Sequence, residues 1–256
     1  MIPQVRVTRY VTPLREGGSL PGIVEGDDLG TWVCKFRGAG QGIRVLAAEV
    51  LVTGLCRHLE LPTPELAVLD LDPEIARYEA DEEVQDLLTA SVGLNLGIDF
   101  LPGAFGFDGR EALGPEGEEL ALRTLWLDAF IANVDRSWRN PNLLVWHGRL
   151  WLIDHGASLY FHHAWAGGLT DPARFARQPW SADDHVFGDL VPRLGEVDAA
   201  LRDRLRGAAI EQVVADVPDD WLAGVPDTEP EQVREAYAAF LRARLDSSDW
   251  LPEAAR

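Results

Sequence analysis

The hydrophobic pattern of this 256-residue chain changes period along its length, and that change restricts the fold more than any other feature. In the first hundred residues the apolar side chains fall mainly in short strand-like runs. Residues 4–11 alternate in twos, as on a strand with one buried face, and Ile23-Val24, residues 31–36 and residues 66–71 are further short runs of β-branched, aromatic and aliphatic residues. One helix interrupts them over about 43–59, where Leu46, Val50, Leu51 and Leu55 share a face. Residues 72–87 carry a run of acids that reads as a solvated helical face. The glycine-interrupted stretch 94–104 reads as a connector, continued as loop through 106–118. From there the period is helical: Leu122, Leu125, Trp126, Ala129 and Phe130 follow i, i+3, i+4, i+7, i+8 spacing. Thr228-Glu229-Pro230-Glu231 opens a late helix with a capping box and a proline in its first turn. Only a β-hairpin turned by His147-Gly148 breaks the second part. The expected class is α+β: a small β-rich lobe over residues 1–100 with one helix, and a larger, mostly helical lobe over 101–256. A ligand cleft is expected between them.

Composition removes several functions. A formal charge of −19 opposes a nucleic-acid backbone or an anionic membrane as partner. No apolar run is long enough to span a bilayer, and the first residues lack the apolar core of a secretory signal. Cys34 and Cys56 have no metal-ligand spacing, so a cytoplasmic protein with reduced thiols is expected. Of the 23 Lys and Arg residues only Lys35 is lysine. It sits on a strand, where a compact ammonium can touch one phosphate position that a broad guanidinium cannot.

The densest chemistry lies in Asn133-Val134-Asp135-Arg136-Ser137-Trp138-Arg139-Asn140, followed after the hairpin by Ile153-Asp154-His155-Gly156. A tight hairpin brings its ends together, so Asn140 and Asp154 are expected to be neighbours. Their oxygens are hard ligands of the kind Mg2+ takes alongside phosphate oxygens and water. Asp135, in the loop just before, could accept a proton from an attacking hydroxyl.

Asp-x-x-x-x-Asn, a hairpin, then Asp-x-Gly resembles the catalytic and metal-binding loops of the protein-kinase-like superfamily. The form Asn-x-Asp-Arg-x-x-x-Asn with Ile-Asp-x-Gly resembles its HipA-like and phosphoinositide-kinase branches more than ordinary eukaryotic protein kinases. Val33-Cys34-Lys35-Phe36, the glycines at 38–42, Ala48-Glu49 and Leu61-Pro62-Thr63-Pro64 are similar to the HipA-like N-lobe, so the resemblance spans roughly residues 15–160. It implies a bilobal kinase fold and an ATP- and Mg2+-dependent transfer of the γ-phosphate to a hydroxyl, foremost a protein Ser/Thr. Lys35 matches the lysine that grips the α/β-phosphates, and Glu49 the helix glutamate that pairs with it. Val33 would line the adenine pocket, Phe100-Leu101 would form the hinge, and Gly17, Gly18 and Ser19 would cover the phosphates. Asp135 matches the catalytic aspartate, Asn140 and Asp154 the metal ligands. Arg139 would place positive charge near the γ-phosphate. The sequence departs from the family at Ser137 and His155, and it lacks the extra N-terminal region of HipA toxins, which weakens the expectation of a toxin with an antitoxin partner and leaves that question open. A protein or small-molecule acceptor is open, as are a nucleotide-binding pseudokinase and a nucleotidyl transferase on the same scaffold.

Overall fold

The computed structural model describes residues 2–14, 20–77, 79–109 and 113–255. The glycine-rich Gly17, Gly18 and Ser19 lie outside the described residues. The chain divides into two compact units, one of residues 1–47 and 64–102, the other of residues 48–63 and 103–256.

The first unit is a closed barrel. Strands β1 (Gln4–Pro13), β2 (Gly22–Gly26), β3 (Thr31–Lys35), β4 (Leu66–Leu71) and β5 (Gly93–Asp99) are ordered β1-β2-β3-β5-β4, and a parallel pairing of β4 with β1 closes it. Alternation does what period two requires. Trp32 and Cys34 point into a core with Val5, Val7, Val24, Ala67 and Leu69. Val33 and Lys35 therefore share the opposite face, where Val33 is flanked across the sheet by Ile23 and Ile98.

The stretch expected to be a connector is in part a strand. Residues 93–99 form β5, which pairs with both β3 and β4. Gly97 suggested a break, but here a glycine marks close approach. A Cβ built at Gly97 would stand 2.8 Å from Cγ of Leu69. The ladder runs one bond further, with Phe100 N–H donating to the Thr31 carbonyl at 3.1 Å. Helix α1 (Arg44–His58) lies between β3 and β4 in sequence. Leu46, Val50, Leu51 and Leu55 are all buried on it, as its spacing predicts. The acidic stretch folds as two short helices, α2 (Pro73–Arg77) and α3 (Glu82–Ala90), and Asp81 caps the second through the N–H groups of Glu83 and Val84.

The second unit is mostly helical. Strands β6 (Phe105–Gly106), β7 (Leu143–Trp146) and β8 (Arg149–Leu152) form its small sheet. Besides most of α1, its helices are α4 (Pro115–Ile131), α5 (Ala173–Ala176), α6 (Asp198–Leu205), α7 (Ala209–Ala215), α8 (Asp219–Leu222) and α9 (Pro230–Leu245). α4 is buried over most of its last three turns, and Trp126, Phe130 and Trp250 pack ring against ring within 5.6 Å. The box that opens α9 is shifted by one residue from the sequence reading. Glu229 is the N-cap, with Pro230 behind it, and its N–H donates to the Gln232 side chain at 2.9 Å. Gln232, not Glu231, stands three residues past the cap, where a side chain can reach back.

Candidate active site

The site is built on the end of α4 and on the hairpin that follows. α4 stops at Ala132, which adopts a left-handed conformation (φ 52°) and turns the chain out of the helix. Residues 133–142 then cross to β7. The hairpin turn His147-Gly148 has positive φ at both positions, 47° and 74°, the form that matches strand twist. Leu143 pairs with Leu152, and Ile153 N–H donates to the Asn142 carbonyl, adding one more rung. Beyond it the two arms leave the ladder through left-handed residues, Asn142 (φ 49°) and Asp154 (φ 53°). Asn140 and Asp154 thus sit at the same end of the hairpin.

Asp135 is held by two amides. Oδ2 accepts from Nδ2 of Asn140 and from Nδ2 of Asn142, each at 2.9 Å. A carboxylate can only accept, so these bonds fix both amide orientations. Two consequences follow. Asp135 keeps Oδ1 for another donor, and Asn140 turns Oδ1 away from Asp135 as an acceptor. With Asp154 this gives hard oxygen donors on the two arms of one hairpin, a set that fits Mg2+ when phosphate oxygens and water complete the shell. Among the described residues no three His, Cys, Asp or Glu side chains are grouped to hold a metal by themselves.

Beneath Asp135 lies a network that sequence reasoning missed. Asp128, fully buried on α4, accepts from Asn133 Nδ2 at 2.8 Å, from Arg136 Nε at 2.7 Å and from His185 Nε2 at 3.0 Å. His185 Nδ1 accepts from the Phe187 N–H, so its proton is on Nε2. Burial alone would raise the Asp128 pKa. The Arg136 charge, the His185 hydrogen bond and the Asn133 amide outweigh it and hold the carboxyl at about 2. Asn133 in turn accepts from the Asp135 N–H at 2.9 Å, and Trp180 Nε1 donates to its carbonyl. Arg136 reaches the carbonyls of Pro141, Asn142 and Ile153, and Nδ1 of His155 at 3.2 Å. One guanidinium therefore ties the end of α4 and the segment 133–142 to both arms of the hairpin. The sequence did contain a sign: an acid in the apolar run Leu125-Trp126-Leu127-Asp128-Ala129-Phe130 has to be satisfied if it is buried.

The other expected residues fall as follows. Lys35 is 9% exposed at the end of β3, and Glu49 is 1% exposed on α1. Phe100 is exposed and Leu101 buried, at the end of the first unit. Arg139 is exposed, its guanidinium 4.0 Å above the ring of exposed Trp138. Ser137 and Asn140 exchange backbone hydrogen bonds, which makes the intervening Trp138-Arg139 a tight projecting turn. His155 is buried as a partner of Arg136.

A family model described as HipA-like kinase matches residues 7–249. No curated protein matches the chain. Among solved structures, the crystal structure of a Helicobacter pylori proinflammatory kinase, CtkA, is similar with a TM-score of 0.53 at 11% identity. The match covers 100% of this chain and 97% of that one, and it shows a shared fold.

Proposed function

The chain belongs to the HipA-like kinase family, and on that premise we propose that it transfers the γ-phosphate of ATP, with Mg2+, to a hydroxyl of a protein Ser/Thr. That it is a kinase follows from the family; ATP, Mg2+, the acceptor and the residue roles are the proposal. The observation that carries it is the Asp135 carboxylate, oriented by Asn140 and Asn142 and resting on the buried Asp128 network. A general base must be fixed in direction with one acceptor atom to spare, and Oδ1 is that atom.

Oδ1 of Asp135 takes the proton of the acceptor hydroxyl as its oxygen forms a bond to the γ-phosphorus. The bond from that phosphorus to the β,γ-bridging oxygen breaks, and ADP leaves. Mg2+, held by Asn140 Oδ1 and Asp154, would offset the charge on the β- and γ-phosphate oxygens. Lys35 is assigned to the α/β-phosphates, with Glu49 as the acid that orients it. Val33 is assigned to the adenine face, with Phe100 and Leu101 as the hinge. Arg139 supplies positive charge toward the γ-phosphate. Catalysis of this kind is positioning plus charge stabilisation, and the burial of Asp128 and Arg136 gives the loop the rigidity it needs.

Incubation with γ- and α-labelled ATP tests the reading. Label from the γ position on an acceptor is expected. Label from α would make the protein a nucleotidyl transferase, and no transfer a nucleotide sensor. Asp135→Asn should lower transfer by about 10²–10⁴-fold, the range of a lost general base, and Asp154→Ala should abolish it. Unchanged transfer in both variants would remove the assignment.

A further inference from the structure

A buried charge beside the catalytic loop has no role in the scheme above. Arg244, in the last turn of α9, is 1% exposed. Its guanidinium lies over Phe240 and Trp250, 5.1 and 5.4 Å from the ring centroids, and Nη1 donates to the Ala129 carbonyl at 3.3 Å. Nε has no hydrogen-bond partner. Among the described residues no carboxylate pairs with it, and burial alone pulls its pKa down to about 9. Arg136 and Arg202, also buried, each have an aspartate, Asp128 and Asp198. Arg244 is the exception.

Arg244 also faces open space. It lines two adjoining cavities, of about 460 and 250 Å3, whose walls share Ala132, Tyr160 and Gln178. The larger is walled on its other side by Asn133, Val134, Arg136 and Ser137, the segment that carries Asp135. An apolar side chain would pack on Phe240 and Trp250 as well and would spare the desolvation of a charge, so burial without a counter-charge is unfavourable unless an anion completes the site. A guanidinium presents a planar fork matched to carboxylate and phosphate oxygens. Exposed Asp183 and Asp184 also line the larger cavity and oppose a ligand of high negative charge.

We propose that Arg244 anchors a single oxyanion, a carboxylate or phosphate, on an acceptor substrate that is otherwise neutral or basic. Which substrate occupies the cavity rests on the phosphotransfer reading; the existence of the oxyanion site does not. Acceptors meeting this description are a Ser/Thr peptide with one nearby acidic residue and a singly phosphorylated alcohol.

The first test needs no nucleotide. The full chain is titrated with inorganic phosphate, and separately with succinate, at constant ionic strength while its thermal midpoint is followed. Both ions should raise the wild-type midpoint. Arg244→Met should weaken half-saturation at least tenfold, as expected for a lost charge-assisted bidentate contact, and its midpoint without anion should equal or exceed that of wild type. Equal half-saturation in the two proteins overturns the proposal, as does a lowered midpoint with an unchanged anion response. If Arg244→Met does not fold, Arg244→Lys decides: the fork is lost and the charge kept, so an unchanged half-saturation overturns the proposal.

The second test compares kcat/KM for Ser peptides carrying a flanking Asp or Asn, and for glycerol phosphate against glycerol. Wild type should favour the anionic member of one pair about tenfold or more through KM, and Arg244→Met should lose that preference. No preference in either pair overturns the acceptor assignment. If no acceptor is phosphorylated at all, the phosphotransfer reading fails while the phosphate titration still decides whether the oxyanion site exists.

Discussion

Among 23 positively charged Lys and Arg residues the chain keeps one lysine, and it is buried at the end of β3. An ammonium there can meet one phosphate oxygen as a point charge, while the fork of arginine is longer and flat. Lys35→Arg preserves the charge, yet we expect it to lower kcat/KM for ATP by about tenfold or more, the scale of a strong charge-assisted contact. Steady-state kinetics at matched thermal midpoints check this, and full activity would make Lys35 an accident of composition. Asp128 is the residue on which the Asp135 loop rests. Asp128→Asn would leave Arg136 buried without its counter-charge, at a cost of about 3–5 kcal/mol read as a lower denaturant midpoint. The pH dependence has a defined sign. The folded-state pKa, about 2, lies below the ordinary value of about 3.9. The stabilisation is therefore complete above about pH 4 and is lost as pH falls toward 2, a contribution on the order of 2 kcal/mol. The stability gap between wild type and Asp128→Asn should narrow by about 2 kcal/mol toward the bottom of that window; a constant gap would show that Asp128 is not the titrating group.

At the scale of elements, what could be read in the sequence depended on whether periodicity or punctuation carried the signal. α1 and α4 follow their apolar spacing, and the His147-Gly148 hairpin follows from its turn residues. Four of the five barrel strands, β1 to β4, were visible as alternating or short apolar runs. β5 was not, because Gly93, Gly97 and the glycine-rich sequence beyond it resemble a linker. The reason for Gly97 lies on another strand: Leu69, fully buried on β4, occupies the space a side chain would need. Such tertiary crowding leaves no local mark. We expect Gly97→Ala to cost about 1–3 kcal/mol through overpacking, measured by urea unfolding, and Leu69→Ala in the same chain to recover part of it. Additive losses in the double variant would show that the two side chains do not compete. The loop residues divide in the same way. Asp135, Asn140 and Asp154 stand out by spacing, and Asn140 and Asn142 both donate to Asp135. His185 lies 57 residues from Asp128, and no local pattern links them.

For the whole molecule the dominant quantity is charge. With 42 acidic and 23 basic residues the protein repels the polyphosphate it is proposed to use. Two surface arginines are already engaged: Arg193 with Glu118 and Glu196, and half-buried Arg242 with Glu211 and Glu235. Such surface pairs do little for an incoming anion. In the proposed reaction Mg2+ would have two tasks, lowering the charge of the nucleotide and holding it at Asn140 and Asp154. With excess Mg2+ and ATP at about 100 times its dissociation constant, the protein should gain about 2.7 kcal/mol, seen as a rise of several degrees in thermal midpoint. Chelating the metal should remove most of that rise. The two tasks separate by ionic strength. Long-range repulsion is screened beyond about 8 Å at physiological salt, so added salt can replace the first task but not the second. The gap between midpoints with metal and with chelator should therefore narrow from low to moderate salt and then level off above zero. In Asp154→Ala the residual gap should vanish at moderate salt. A gap that closes completely in the wild type would mean that Mg2+ acts on the nucleotide alone and that Asn140 and Asp154 are not its ligands.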